Sequence, residues 1–119
     1  MITAAHSILY ASDAEAARAF FRDVLGLPHV DAGHGWLIFT SPPAELAVHP
    51  TGPADGGRTE MYLMCDDLAS TIAELRAKGV EVADEVEEAG WGRVTRVTVP
   101  GAGEIGLYEP LHPTAYDLD

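Results

Sequence analysis

At 119 residues the chain suits one compact unit that buries roughly two-thirds of its unfolded surface, and a hydrophobic fraction of 47% excludes a disordered polymer. Nineteen acidic against seven basic residues leave a net charge of -12, which repels nucleic-acid phosphates and anionic lipid and is read as a solubility device. One cysteine, Cys65, excludes an internal disulfide and a cysteine-built zinc site, while the lack of a membrane-length apolar run and of a basic-then-apolar N-terminus leads to the expectation of a cytoplasmic protein.

In chain order, period-two alternation predicts a strand over Thr3–Ala11, with His6, Ile8 and Tyr10 on one face and Leu9 on the other. Ser12, with Glu15 three positions on, has the spacing of a capping box. The helix after it has the buried stripe Ala17, Phe20, Phe21, Val24 and Leu25 and stops at Gly26. Three short strands follow, LPHV, WLIFT and ELAVH, separated by the Gly33–Gly35 turn and by Pro42-Pro43. Thr51 to Gly57, TGPADGG, reads as a linker.

The pattern then starts again. Glu60, Tyr62 and Met64 alternate with Met61, Leu63 and Cys65, and Asp66 or Asp67 caps a helix with the stripe Leu68, Ile72 and Leu75 that stops at Gly79. Cys65 shares the face of Leu63, which predicts a buried, inert thiol. Val80 to about Val86 is expected as a strand, the acidic DEVEEAG run (Asp84–Gly90) as a solvated turn, and RVTRVTV (Arg93–Val99) as a β-branched strand. Pro100-Gly101 turns the chain into a final strand, Glu104–Glu109, with Ile105 and Leu107 toward the helix and Gly106 and Tyr108 opposed to them. Beyond Pro110 a loose or docking tail is expected.

His6 stands seven positions before Asp13, as Glu60 stands seven before Asp67, so the chain reads as two copies of one unit. The pieces His6, LYASD, FFRDVLGL, LAVHP, CDDL, LRAKGVEV, Trp91-Gly92 and GEIGLYEP together resemble the vicinal-oxygen-chelate superfamily of glyoxalases, bleomycin-resistance proteins and extradiol dioxygenases. The resemblance spans Ile2 to about Pro110. It implies an α+β fold in which two βαβββ modules form curved mixed sheets around a cavity. One domain over 1–119 is expected, with modules at about 2–50 and 59–110, a linker at 51–58 and a tail at 111–119. A homodimer, with modules exchanged between chains, is also implied.

In that superfamily, metal ligands come from the first and last strand of each module, positions that fall here on His6, Ala47, Glu60 and Gly106. Two of these four side chains are able to bind a metal, and the usual glutamate of the final strand is replaced by Gly106. His49, two residues past Ala47 on the same face, is the candidate third ligand beside His6 and Glu60 for one divalent ion, Fe, Mn, Zn or Ni. Glu60 is equally a candidate general base, in a partly apolar pocket that lifts its pKa toward neutrality, or the partner of a salt bridge to Arg58 or Arg93. Tyr10, Trp36, His49, Tyr62, Trp91 and Tyr108 are the candidates for lining the cavity, since flat amphipathic rings hold aromatic or oxygen-rich molecules. Two functions therefore stand side by side. One is a binding protein for a small aromatic or oxygen-rich molecule. The other is a divalent-metal dioxygenase or lyase using His6 and Glu60. A dimer that serves only as an interaction module is the third, and it leaves the paired polar residues unexplained.

Overall fold

The computed structural model describes residues 6–48, 50–56 and 58–116, and within them the chain is α+β with two sheets. The first helix, α1 (Ala14–Ala19), continues as a π-helical turn over Phe20–Val24, and Gly26, at φ 65°, ends it. The N-cap is Asp13 rather than Ser12: its Oδ1 accepts the Ala16 amide at 3.0 Å. The Ser12 hydroxyl instead donates to the Gly101 carbonyl, and the Asp13 amide donates to the same oxygen at 2.9 Å. The carboxylate is the nearer acceptor for the first turn, so the hydroxyl is left to fasten the helix start to the far end of the chain. Gly101 holds φ 80°, and a Cβ there would fall on the Asp13 carbonyl oxygen, so this seam needs glycine twice over.

Strands β1 (His29–Asp31) and β2 (Leu37–Phe39) form an antiparallel hairpin around the predicted glycine turn. The expected strands on either side of that hairpin differ. Residues 6–11 and 44–48 join no ladder within the described residues, and Leu46 and Val48 are 93% and 91% exposed. Ile8 and Tyr10 of the first stretch are also exposed, and no described strand covers either segment.

The second half is a four-stranded sheet in the order β3-β6-β5-β4, made of β3 (Tyr62–Met64), β4 (Glu87–Ala89), β5 (Gly92–Val99) and β6 (Gly103–Pro110). β3 runs parallel to β6, and the other pairs are antiparallel. Helix α2 (Leu68–Ala77) links β3 to β4. Asp67 caps it through the Ser70 amide, and Glu109 of β6 reaches across to accept the Leu68 amide at 2.9 Å, which ties helix to sheet. The acidic run expected as a turn contains β4, because Gly90 and Trp91 form the tight connection that lets Glu87–Ala89 fold back on β5. Charged side chains suit an edge strand, whose outer side faces water, and that is why the stretch reads as a loop. Val80–Val86, expected as a strand, contributes a single bridge, Val82 to Val97.

Both helices cover the same face of this sheet. The core gathers Ala17 and Phe20 from the first, Leu68, Ile72 and Leu75 from the second, and Val97, Val99, Ile105 and Leu107 from the strands. Thr95 is buried with them and satisfies its hydroxyl on the Glu85 carbonyl at 2.8 Å. Ile105 and Leu107 point to the helices, as the period of two requires, so Gly106 and Tyr108 look out of the opposite face. Cys65 lies half-buried on the helix side, where burial pushes its thiol pKa up. The tail docks: the Leu111 amide donates to the Trp91 carbonyl, and the Ala115 amide donates to Glu45 at 2.6 Å. No helix among the described residues is long and apolar enough to cross a membrane.

Candidate functional site

The face of the sheet away from the helices is organised by its register. Tyr62, Gly106 and Arg96 stand abreast on β3, β6 and β5, and Met64, Tyr108 and Val94 form the next row. The Tyr62 ring lies over Gly106, so that a Cβ at 106 would overlap its Cδ1 and Cε1 atoms. Tyr62 therefore packs into the trough left by the missing side chain at 106. A Cβ at Gly92 would meet the Glu109 carbonyl oxygen at 2.8 Å and Tyr108 Cδ2 at 3.1 Å. Trp91 completes the cluster, and the three rings meet edge to face, with centroids 5.7 Å apart for Tyr62–Tyr108, 6.2 Å for Tyr62–Trp91 and 5.3 Å for Trp91–Tyr108. Trp91 remains 46% exposed, while Tyr108 is buried.

Polar groups sit at two ends of this aromatic floor. At one end Glu60 accepts hydrogen bonds from the Arg58 guanidinium and from the Tyr62 hydroxyl, the latter at 2.8 Å. The Arg58 hydrogen bond is the main reason that the Glu60 carboxyl is held below its ordinary range, with the Tyr62 hydroxyl adding to it. The same bond from Tyr62 raises the phenol pKa. The expected lift of Glu60 toward neutrality is thus reversed, because the carboxylate is exposed and solvated by two donors rather than desolvated. At the other end the Tyr108 hydroxyl donates to Glu45 at 3.3 Å and lies 3.5 Å from His112 Nε2. Burial, and then Glu45, push the Tyr108 pKa up.

Of the residues nominated from sequence, the structure brings together Glu60, Tyr62, Trp91 and Tyr108. Trp36 is elsewhere, with the Arg18 guanidinium 5.0 Å above its ring. Tyr10 is 85% exposed, His6 is exposed, and His49 lies outside the described residues. Arg58, rather than Arg93, makes the ion pair with Glu60, since Arg93 is drawn to Glu88 and Glu109. Among the described residues no three His, Cys, Asp or Glu side chains converge on a point able to hold a metal ion. Two hollows of about 500 and 320 Å³ lie on the helix side, one lined by Phe20, Val24 and Val80 and the other by Leu68, Ile72 and Arg93, and neither touches the aromatic floor. Arg96, Glu45 and His112 belong to the site, although no sequence pattern marked them. The β5–β6 register was the missing information for Arg96, and tail docking for the other two.

A sheet with helices on one face and an aromatic cluster on the other defines an α+β protein. The family model for the Glyoxalase/Bleomycin resistance protein/Dioxygenase superfamily matches residues 3–106, and the chain belongs to that superfamily. Among solved structures, lactoylglutathione lyase from Agrobacterium tumefaciens is 21% identical over 90% of this chain and 92% of its own, with a TM-score of 0.63. TnmS3, an antibiotic binding protein from Streptomyces sp. CB03234, is 26% identical over 92% and 99%, with a TM-score of 0.61. A superfamily member from Sphaerobacter thermophilus DSM 20745 is 25% identical over 91% and 98%, with a TM-score of 0.60. No curated protein sequence matches the chain significantly.

Proposed function

We propose that this chain is a small-molecule binding protein of the superfamily, taking a planar aromatic molecule against Tyr62, Trp91 and Tyr108 and acting as a cytoplasmic homodimer. The observation that carries the reading is the Tyr62 ring over Gly106. The position that would supply a ligand in a metal-using relative is bare here, and an aromatic surface takes its space. Both Glu60 oxygens are already engaged by Arg58 and Tyr62, Ala47 offers no donor, and His6 stands exposed. Among the described residues no three His, Cys, Asp or Glu side chains converge to hold a divalent ion, and no step is derived through one. Likeness to TnmS3, which binds an antibiotic, supports a binding role. The dimer is supported by the strand-patterned residues 6–11 and 44–48, which expose Ile8, Tyr10, Leu46 and Val48 and need a sheet partner that a second copy supplies. A single cysteine without a disulfide suits a reducing compartment.

Calorimetric titration with 2-naphthamide and 2-naphthoate, two flat bicyclic probes, tests the ligand site. Binding of either probe is expected, with Tyr62→Ala and Trp91→Ala each weakening it about tenfold through lost ring contact. Failure of both probes to bind, or binding indifferent to both substitutions, would refute the reading. Elemental analysis of the purified protein showing one zinc, iron, manganese or nickel per site would restore the metal enzyme. Light scattering reads the dimer, and Leu46→Lys with Val48→Lys is expected to shift it to monomer.

A further inference from the structure

Acidic residues outnumber basic ones 19 to 7, so a cation without a carboxylate partner is conspicuous. Five of the seven, Arg22, Arg58, Arg76, Lys78 and Arg93, make ion pairs. Arg18 rests on Trp36 and donates to the Gly35 carbonyl at 3.5 Å. Arg96 remains. Among the described residues its side chain has neither an ion pair nor a hydrogen bond; its Cζ lies 6.0 Å from the Tyr62 ring centroid, and it acts on the Glu60 carboxylate through charge alone. It is exposed on the ligand face, in the same row as Tyr62 and Gly106. Glu60 on that face is already bound to Arg58, and Glu104, one rung along opposite Thr98, makes no ion pair with Arg96.

We infer that Arg96 is the anion subsite of the aromatic floor, so that the molecule it takes is a planar aromatic carrying a carboxylate or another planar oxyanion. The inference rests on the binding role proposed above and specifies its ligand. Three features support the assignment. A guanidinium is a planar fork of donors that fits two carboxylate oxygens at once, and it loses little on being oriented. The Tyr62 ring covers Gly106 and reaches toward the Arg96 guanidinium, 6.0 Å from Cζ to ring centroid, so aromatic surface and cation adjoin. The overall negative charge disfavours random anions, so an acidic ligand needs a dedicated cation to settle here. The ring of such a ligand lies against Tyr62 and Trp91, and its carboxylate reaches past the Tyr62 ring to the Arg96 fork.

The test compares 2-naphthoate with its neutral isostere 2-naphthamide, by calorimetry, on the full chain and on Arg96→Gln and Arg96→Lys. The expected result is that the parent binds naphthoate at least tenfold more tightly than the amide. Arg96→Gln is expected to abolish that preference while leaving amide binding within about twofold, and Arg96→Lys to keep part of it. Equal affinity of the parent for both probes, or a preference that persists in Arg96→Gln, overturns the subsite and leaves the aromatic floor standing. Failure of both probes to bind overturns both. An unchanged urea midpoint for the exposed substitutions confirms that the comparison is made between folded proteins.

Discussion

Gly106→Ala isolates the contact on which the site depends. The backbone at 106 is not in the left-handed region, so alanine is compatible with the strand, and the whole effect comes from its methyl group meeting the Tyr62 ring. The ring must swing aside, giving up its hydrogen bond to Glu60 and its edge contacts with Tyr108 and Trp91. Overpacking costs about 1–3 kcal/mol. Edge-to-face contacts are worth about 0.5–1.5 kcal/mol. The partial exposure of this ring keeps the sum near 2 kcal/mol, or a fall in Tm of about 8 °C at this chain length. Urea unfolding followed by circular dichroism measures it. The decisive comparison is the same substitution in a Tyr62→Ala background, where the methyl group has room and Gly106→Ala is expected to be neutral or slightly stabilising. A cost below about 0.5 kcal/mol in the parent, or an equal cost in both backgrounds, would refute the packing of Tyr62 over Gly106.

Four further outcomes follow from the described geometry. Gly101→Ala forces a left-handed alanine onto the Asp13 carbonyl and is expected to cost about 3 kcal/mol in the urea midpoint, far more than Gly52→Ala, where φ is -70° and a Cβ meets nothing within 4 Å. Removal of the Glu60 charge by Glu60→Gln is expected to lower the pKa of Tyr62, read by tyrosinate absorbance. Because the folded Glu60 pKa is depressed, its contribution to stability is present above its unfolded value and lost as pH falls through the folded one. The midpoint difference between parent and Glu60→Gln should therefore shrink below about pH 4, and a difference that grows there would contradict the pairing. Cys65 is expected to react with iodoacetamide at least about tenfold more slowly in the native protein than in urea, since burial raises its thiol pKa; equal rates would place it at the surface.

Much of the second half was legible because its cues are local. The alternation of Tyr62 and Met64 against Leu63 and Cys65, and of Gly106 and Tyr108 against Ile105 and Leu107, sorted helix face from open face, and Gly79 ended α2 where its stripe ended. What stayed hidden depends on partners distant in the chain. β4 looked like a solvated turn because an edge strand tolerates glutamates, and Asp13 displaced Ser12 as cap because Gly101, 89 residues away, claimed the hydroxyl. In the site, the rings Tyr62, Trp91 and Tyr108 were visible as residue types, whereas the row that sets Arg96 beside Tyr62 exists only once β5 and β6 are paired.

The two rims of the four-stranded sheet are not equivalent. One is β4, with exposed Glu87 and Glu88, so two molecules offered rim to rim there would repel through like charge. The other is β3, which carries Tyr62 and Met64 and no charge within its span. Like charge therefore disfavours sheet-to-sheet pairing at the β4 rim, a penalty that the β3 rim beside the tyrosines does not carry within its own span.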